Sequence, residues 1–134
     1  MTLHFPAQVY TAYTEDEVLT VALADSTDPD PACYLILQRS QEDDEQDAEL
    51  GMDTYHATLG GQALGGQALA GYGGIDAVQI APDRLTFHFS TTTPWCQEVG
   101  ILIIDLHPGL GAITDMAQAL QAVFADRPTV LSHG

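Results

Sequence analysis

Ile75-Asp76-Ala77-Val78-Gln79-Ile80-Ala81-Pro82-Asp83-Arg84-Leu85-Thr86-Phe87-His88-Phe89-Ser90 is the stretch that decides the fold class. Before Pro82-Asp83, Ala77, Gln79 and Ala81 alternate with Asp76, Val78 and Ile80. After it, Leu85, Phe87 and Phe89 alternate with Arg84, Thr86 and His88. Strict alternation on both sides of a short turn signal is the pattern of a β-hairpin, because successive side chains of a strand point to opposite faces.

Toward the N-terminus the same grammar repeats. Residues 52–59 alternate Met52, Thr54, His56 and Thr58 against Asp53, Tyr55, Ala57 and Leu59, and read as a strand. Cys33 to Gln38 is a short apolar run bounded by turn signals, as expected of a central strand. Val18 to Ala24 is apolar on both alternating faces. With Gln8 to Tyr13 it forms a hairpin around the acidic turn Glu15-Asp16-Glu17. Asp25 to Pro31 is a loop. Gly60-Gly61-Gln62-Ala63-Leu64 is repeated at once as Gly65-Gly66-Gln67-Ala68-Leu69. A five-residue unit is too short for a solenoid, so the duplication reads as a lengthened hairpin loop or bulged edge. Gly71-Tyr72-Gly73-Gly74 then turns the chain sharply.

Toward the C-terminus, Thr91 to Glu98 is a loop and Val99 to Leu106 a continuous apolar strand, broken by Pro108-Gly109. Ile113, Met116, Ala117, Leu120, Val123 and Phe124 recur at helical spacing between about Thr114 and Ala125. Pro128 ends that helix, and residues 130–134 read as a frayed tail. The expectation is an α+β fold: a mostly antiparallel sheet of about six to seven strands with one C-terminal amphipathic helix packed on it. The chain reads as a single domain over 1–134, its core within about 8–125.

Charge is the other informative property. The 134 residues hold 19 acids, three arginines (Arg39, Arg84, Arg127) and no lysine, for a formal net charge of −16. Residues 1–53 alone carry a net −12, and 54–134 only −4. The densest segment is Gln41-Glu42-Asp43-Asp44-Glu45-Gln46-Asp47-Ala48-Glu49-Leu50, between two strands. Crowded like charges oppose folding but speed encounters with basic surfaces, so this segment points to a basic partner. Nucleic acid and anionic membrane are excluded as partners, since both require a positive footprint. An acidic, lysine-free surface also suits a halophile, but that adaptation spreads its charge evenly. The N-terminus has no basic-then-apolar leader, and no apolar run approaches the ~20 residues that span a bilayer. A cytoplasmic protein is the expectation.

Catalytic and cofactor chemistry find little footing. A phosphate-binding loop needs a lysine that the chain lacks, and the glycine-rich stretch has no strand–loop–helix context. An EF-hand fails at both acidic clusters. Counted from Asp43, Ala48 and Thr54 stand where glycine and glutamate belong; counted from Asp25, Pro29 takes a ligand position. Asp25, Asp28 and Asp30 therefore read as solvated carboxylates. His4, His56, His88, His107 and His133 show no zinc spacing, and His56 and His88 read as residues at the edge of the core. Cys33 reads as a small buried hydrophobe. Cys96 is either an exposed thiol or structural; without a local base, a structural role is favoured over catalysis. No catalytic residue, cofactor or metal site is expected.

Tyr34-Leu35-Ile36-Leu37-Gln38-Arg39-Ser40, the acidic link, Gly51-Met52-Asp53-Thr54-Tyr55-His56 and Gly71-Tyr72-Gly73-Gly74-Ile75 resemble, in order and spacing, the immunity protein 10 family of bacterial polymorphic-toxin systems. The resemblance covers about residues 8–125. The duplicated pentapeptide departs from it and leaves the length of that hairpin open. The resemblance implies a non-enzymatic protein that binds and neutralises a cognate toxin effector domain. The expected contact residues are Glu42, Asp43, Asp44, Glu45, Asp47 and Glu49, with Tyr55 and Tyr72 as aromatic anchors. Arg39, beside the acidic link, is expected to pair with a neighbouring carboxylate. A monomer or weak homo-oligomer is expected. Two other classes stay open at this point: a small enzyme using buried carboxylates, and an acidic scaffold or assembly subunit.

Overall fold

The computed structural model describes residues 2–26, 33–40, 55–61, 68–110, 113–124 and 130–133. Their strands form two five-stranded sheets. The first contains β1 (Thr2–Ala7), β7 (Ile75–Ala81), β8 (Arg84–Phe89), β9 (Ile101–Leu106) and β10 (Val130–His133). Their order across the sheet is β1-β9-β8-β7-β10. The second is a plain antiparallel meander of β2 (Val9–Glu15), β3 (Val18–Ala24), β4 (Tyr34–Ser40), β5 (His56–Gly60) and β6 (Ala68–Tyr72). Among the described residues one α-helix, α1 (Ile113–Val123), packs against β3 and β4.

The described chain is therefore mostly β, with ten strands in two sheets rather than six or seven in one. Two strands account for much of the difference. β1 carries Pro6, which lacks the N–H of an interior strand. It is tolerated because β1 is an edge strand and Pro6 is exposed. β10 replaces the expected frayed tail. It pairs in parallel with β7 after α1, so the helix is not the last element of the fold. Such a partner, reached across a crossover, leaves no local signal.

The chain passes from the first sheet to the second within one residue, Gln8, whose N–H donates to the Ala24 carbonyl at 2.9 Å. The inner faces then share one apolar core. The first sheet contributes Phe5, Val78, Leu85, Phe87, Leu102 and Ile104, and the second Val21, Leu23, Leu35, Leu37, Ala57 and Leu59. Ala117, Leu120, Val123 and Phe124 close it, the last just past the end of α1. α1 has no basic residue in its last turn. Arg39 of β4 supplies one from the sheet, donating from Nη1 to the Val123 carbonyl at 3.0 Å, where the helix dipole favours a cation.

The two hairpins expected at 8–24 and 75–90 are present. In β7 a bulge between Ile75 and Ala77 interrupts the alternation, so that Asp76 is exposed while Ile75 and Val78 are both buried. At the β2–β3 turn Glu15 pairs with Val18, and the two residues between them, Asp16 (φ 51°) and Glu17 (φ 65°), both hold positive φ. That backbone suits Asn-Gly. An L-residue in it costs about 1–2 kcal/mol. The double change Asp16→Asn, Glu17→Gly should therefore raise stability by about 1–2 kcal/mol in urea melts. No gain would mean that the turn is unstrained.

Candidate functional site

Register in the second sheet determines which residues share its outward side. One row runs Tyr13, Thr20, Gln38, His56, Tyr72 across all five strands. The next is Thr11, Ala22, Ile36, Thr58, Ala70, and the third Val9, Ala24, Tyr34, Gly60, Ala68. None of these positions holds an acid, an arginine or a lysine, although the chain has 19 acids. The two large hydrophobic side chains most exposed among the described residues, Tyr13 (48%) and Tyr72 (41%), stand at opposite ends of the first row. The Tyr72 ring meets His56 edge-on, centroids 4.9 Å apart.

Tyr72 is held in place from behind. Trp95 lies against the backbone of Gly71 and donates its indole N–H to the Gly73 carbonyl at 3.2 Å. Its ring meets Phe89 edge-on at 5.7 Å. The Tyr55 carbonyl accepts from Gly73 N–H at 3.0 Å, and the Tyr55 hydroxyl accepts from Ile75 N–H at 2.8 Å. Tyr55 is only 2% exposed, and its ring packs edge-on against Phe124 at 4.7 Å. Of the two tyrosines expected as anchors, Tyr72 is at the surface. Tyr55 is not: its ring and hydroxyl are used in positioning the segment that carries Tyr72. Cys96 is buried beneath the same segment, its thiol directed at the Gly74 and Ser90 carbonyls. Burial pushes its pKa up, which keeps the sulfur protonated and makes it structural rather than an exposed nucleophile.

The expected carboxylate patch, Glu42, Asp43, Asp44, Glu45, Asp47 and Glu49, lies outside the described residues, as do Asp28 and Asp30. The strand ends that flank the patch do not. β4 ends at Ser40, paired with Val18, so the acidic link leaves the sheet at the same end as Glu15-Asp16-Glu17. Arg39 reaches the end of α1, a partner that the sequence reading did not anticipate.

The first sheet's outward side has a different chemistry. There Asp105 accepts from Arg84 Nε at 2.8 Å and contacts His4 through its other oxygen. Arg84 first, then His4, hold the Asp105 carboxyl below the usual carboxylate range. A lowered folded-state pKa contributes stability that is present above the unfolded value, about 3.9, and disappears as pH falls through the folded value. The stability difference between the wild type and Asp105→Asn should accordingly be constant near neutral pH and close below about pH 4, with melts against pH as the measurement. The effect is small because the cluster is exposed and screened. Among the described residues no three His, Cys, Asp or Glu side chains gather as metal ligands would. No helix among them is long and apolar enough to cross a membrane.

A family model, immunity protein 10, matches residues 6–108. The chain belongs to the immunity protein 10 family. No curated protein matches it. The matched region of this immunity protein 10 family member takes in β2 to β9 and ends just before α1. It therefore contains both the outward face of the second sheet and the Gly71–Trp95 support, while α1 and β10, which complete the core, lie beyond it.

Proposed function

We propose that this protein neutralises a cognate toxin effector domain by binding it, without catalysis, in the cytoplasm of the cell that makes the toxin. The observation that carries the reading is the family match over residues 6–108. The net charge of −16 supports it physically, because a toxin domain that acts on nucleic acid or another polyanion is basic. Opposite charge steers such partners together, raising association rates toward 10⁸–10⁹ M⁻¹s⁻¹ at low salt, on the order of a hundredfold or more above unsteered pairs. Speed has direct value when the free partner is lethal. The six carboxylates of 42–49 are the proposed source of most of that steering, and the protein acts as a monomer or weak homo-oligomer.

Titration calorimetry against the toxic C-terminal domain encoded beside this chain is the test. The expected result is a 1:1 complex that weakens as salt is raised. No complex at low salt, with both proteins folded, would sink the reading.

A further inference from the structure

The geometry points to the outward face of the second sheet as the surface on which a basic toxin domain docks, seating an apolar or aromatic centre against Tyr13 and Tyr72 while its cations meet the acids at the rim. This rests on the immunity reading above and adds to it the site and the chemistry of contact.

β3 is apolar at all but Thr20, and β4 is apolar from Tyr34 to Leu37, the pattern of strand segments covered on both sides. Their inward residues are covered by the other sheet and α1. Outward, Thr20 and Gly60 are buried, Ile36 and Tyr34 only partly buried, and the flanking tyrosines open. A solvated sheet face ordinarily alternates to polar and charged residues. Its three rows from Val9 to Tyr72 hold no acid, arginine or lysine, and the fourth, Glu15–Val18–Ser40, brings in one acid at the rim, in a chain with 19 acids. Depletion of charge with enrichment of tyrosine is the composition of an interface centre.

Charge decides the occupant. A second copy of this chain would bring another −16 against the first. A basic partner reverses the sign of that term. The rim offers it a place: Glu15, Asp16 and Glu17 lie at the end of the sheet from which the acidic link also leaves. Size agrees. Five strands cover a face about 20 Å by 20 Å, on the order of 400 Å². A standard interface takes about 800 Å² per partner, so this face supplies about half of one. The first sheet's outward face is the weaker candidate, because it carries the Arg84–Asp105–His4 ion cluster and neither of the exposed tyrosines.

The test uses the same toxin domain as probe. Tyr72→Ala and Tyr13→Ala change exposed side chains, and Ala70→Arg plants a bulky cation at an exposed position beside Tyr72 on β6. Each should weaken the complex by roughly tenfold or more, chiefly through a faster off-rate, with melting temperature unchanged. Glu15→Gln with Glu17→Gln should instead slow association and flatten its salt dependence. Gln79→Arg, on the outward face of the first sheet, should do neither. If the wild-type chain binds the toxin domain and the three face variants bind equally well, this inference falls and the immunity reading stands. If the wild type does not bind, the immunity reading falls first. If gel filtration shows a dimer that Ala70→Arg dissociates, the face belongs to a second copy and the inference is overturned.

Discussion

Replacing Tyr55 with alanine should cost about 3–5 kcal/mol of unfolding free energy, a large part of the ~5–15 kcal/mol that holds such a fold together. The ring is fully enclosed and meets Phe124 edge-on, so truncation leaves a cavity under the end of α1. The hydroxyl is a separate contribution, since it accepts the Ile75 N–H at the start of β7. Tyr55→Phe keeps the ring but loses both bonds to Ile75, the N–H accepted at 2.8 Å and the carbonyl donated to at 3.3 Å, so its cost should be about 1–3 kcal/mol. Denaturant melts of both variants give the two numbers. A loss below about 1 kcal/mol for Tyr55→Ala would show that the site collapses freely and that the ring is not a core support. The functional consequence is equally specific. Tyr55→Phe should bind the toxin domain like the wild type once folded. A folded Tyr55→Phe protein that failed to bind would return Tyr55 to the interface.

The second large effect is expected at Gly71 and Gly74. A Cβ on Gly71 would sit 2.2 Å from Cδ1 of Trp95 and 2.5 Å from Cγ, so the indole must move as a whole. Moving it forfeits the edge-on contact with Phe89 and the bond to the Gly73 carbonyl. Gly71→Ala should cost about 2–4 kcal/mol, the upper part of the range for overpacking. Gly74→Ala should be comparable, with a backbone share that Gly71 lacks. Its φ of +94° already disfavours an L-residue, and a Cβ there would lie 2.8 Å from the sulfur of buried Cys96 and 2.9 Å from Nε1 of Trp95. A double-mutant cycle separates the causes. In a Trp95→Leu background Gly71→Ala should be milder by at least about 1 kcal/mol, whereas Gly74→Ala should keep its backbone share of the cost. Equal penalties for Gly71→Ala with and without the indole would remove the steric explanation.

Local pattern carried a good deal of this fold. The β2–β3 and β7–β8 hairpins follow from alternation interrupted by turn residues, and both depend on neighbours a few positions away. The helix follows from the spacing of Met116, Ala117, Leu120 and Val123, all of them buried. What escaped was non-local. β1 finds its parallel partner β9 about a hundred residues on, and β10 finds β7 across α1. The Asp76 bulge is a response to a ladder that only the paired strand defines. The division into two sheets depends on two short passages, at Gln8, which no composition signal marks, and at Gly73-Gly74, where the glycines signal a turn but not a change of sheet.

The candidate site divides along the same line. The chain's acidity, the absence of lysine and the crowding at 42–49 are properties of composition, and a net charge needs no fold to exist. The proposed basic partner rests on them before any strand is placed. Which aromatic groups would face such a partner is a matter of register. Tyr55 and Tyr72 are equivalent candidates in one dimension. Pairing in the second sheet puts Tyr72 outward beside His56, and Tyr55, just before β5, is enclosed against Phe124. Tyr13 became visible as the far end of the same row only when β2 through β6 were laid side by side. Side-chain facing alternates every residue along a strand, so a one-residue difference in pairing exchanges surface for core. Charge is summed along the chain, but a face exists only when strands from distant parts of it meet.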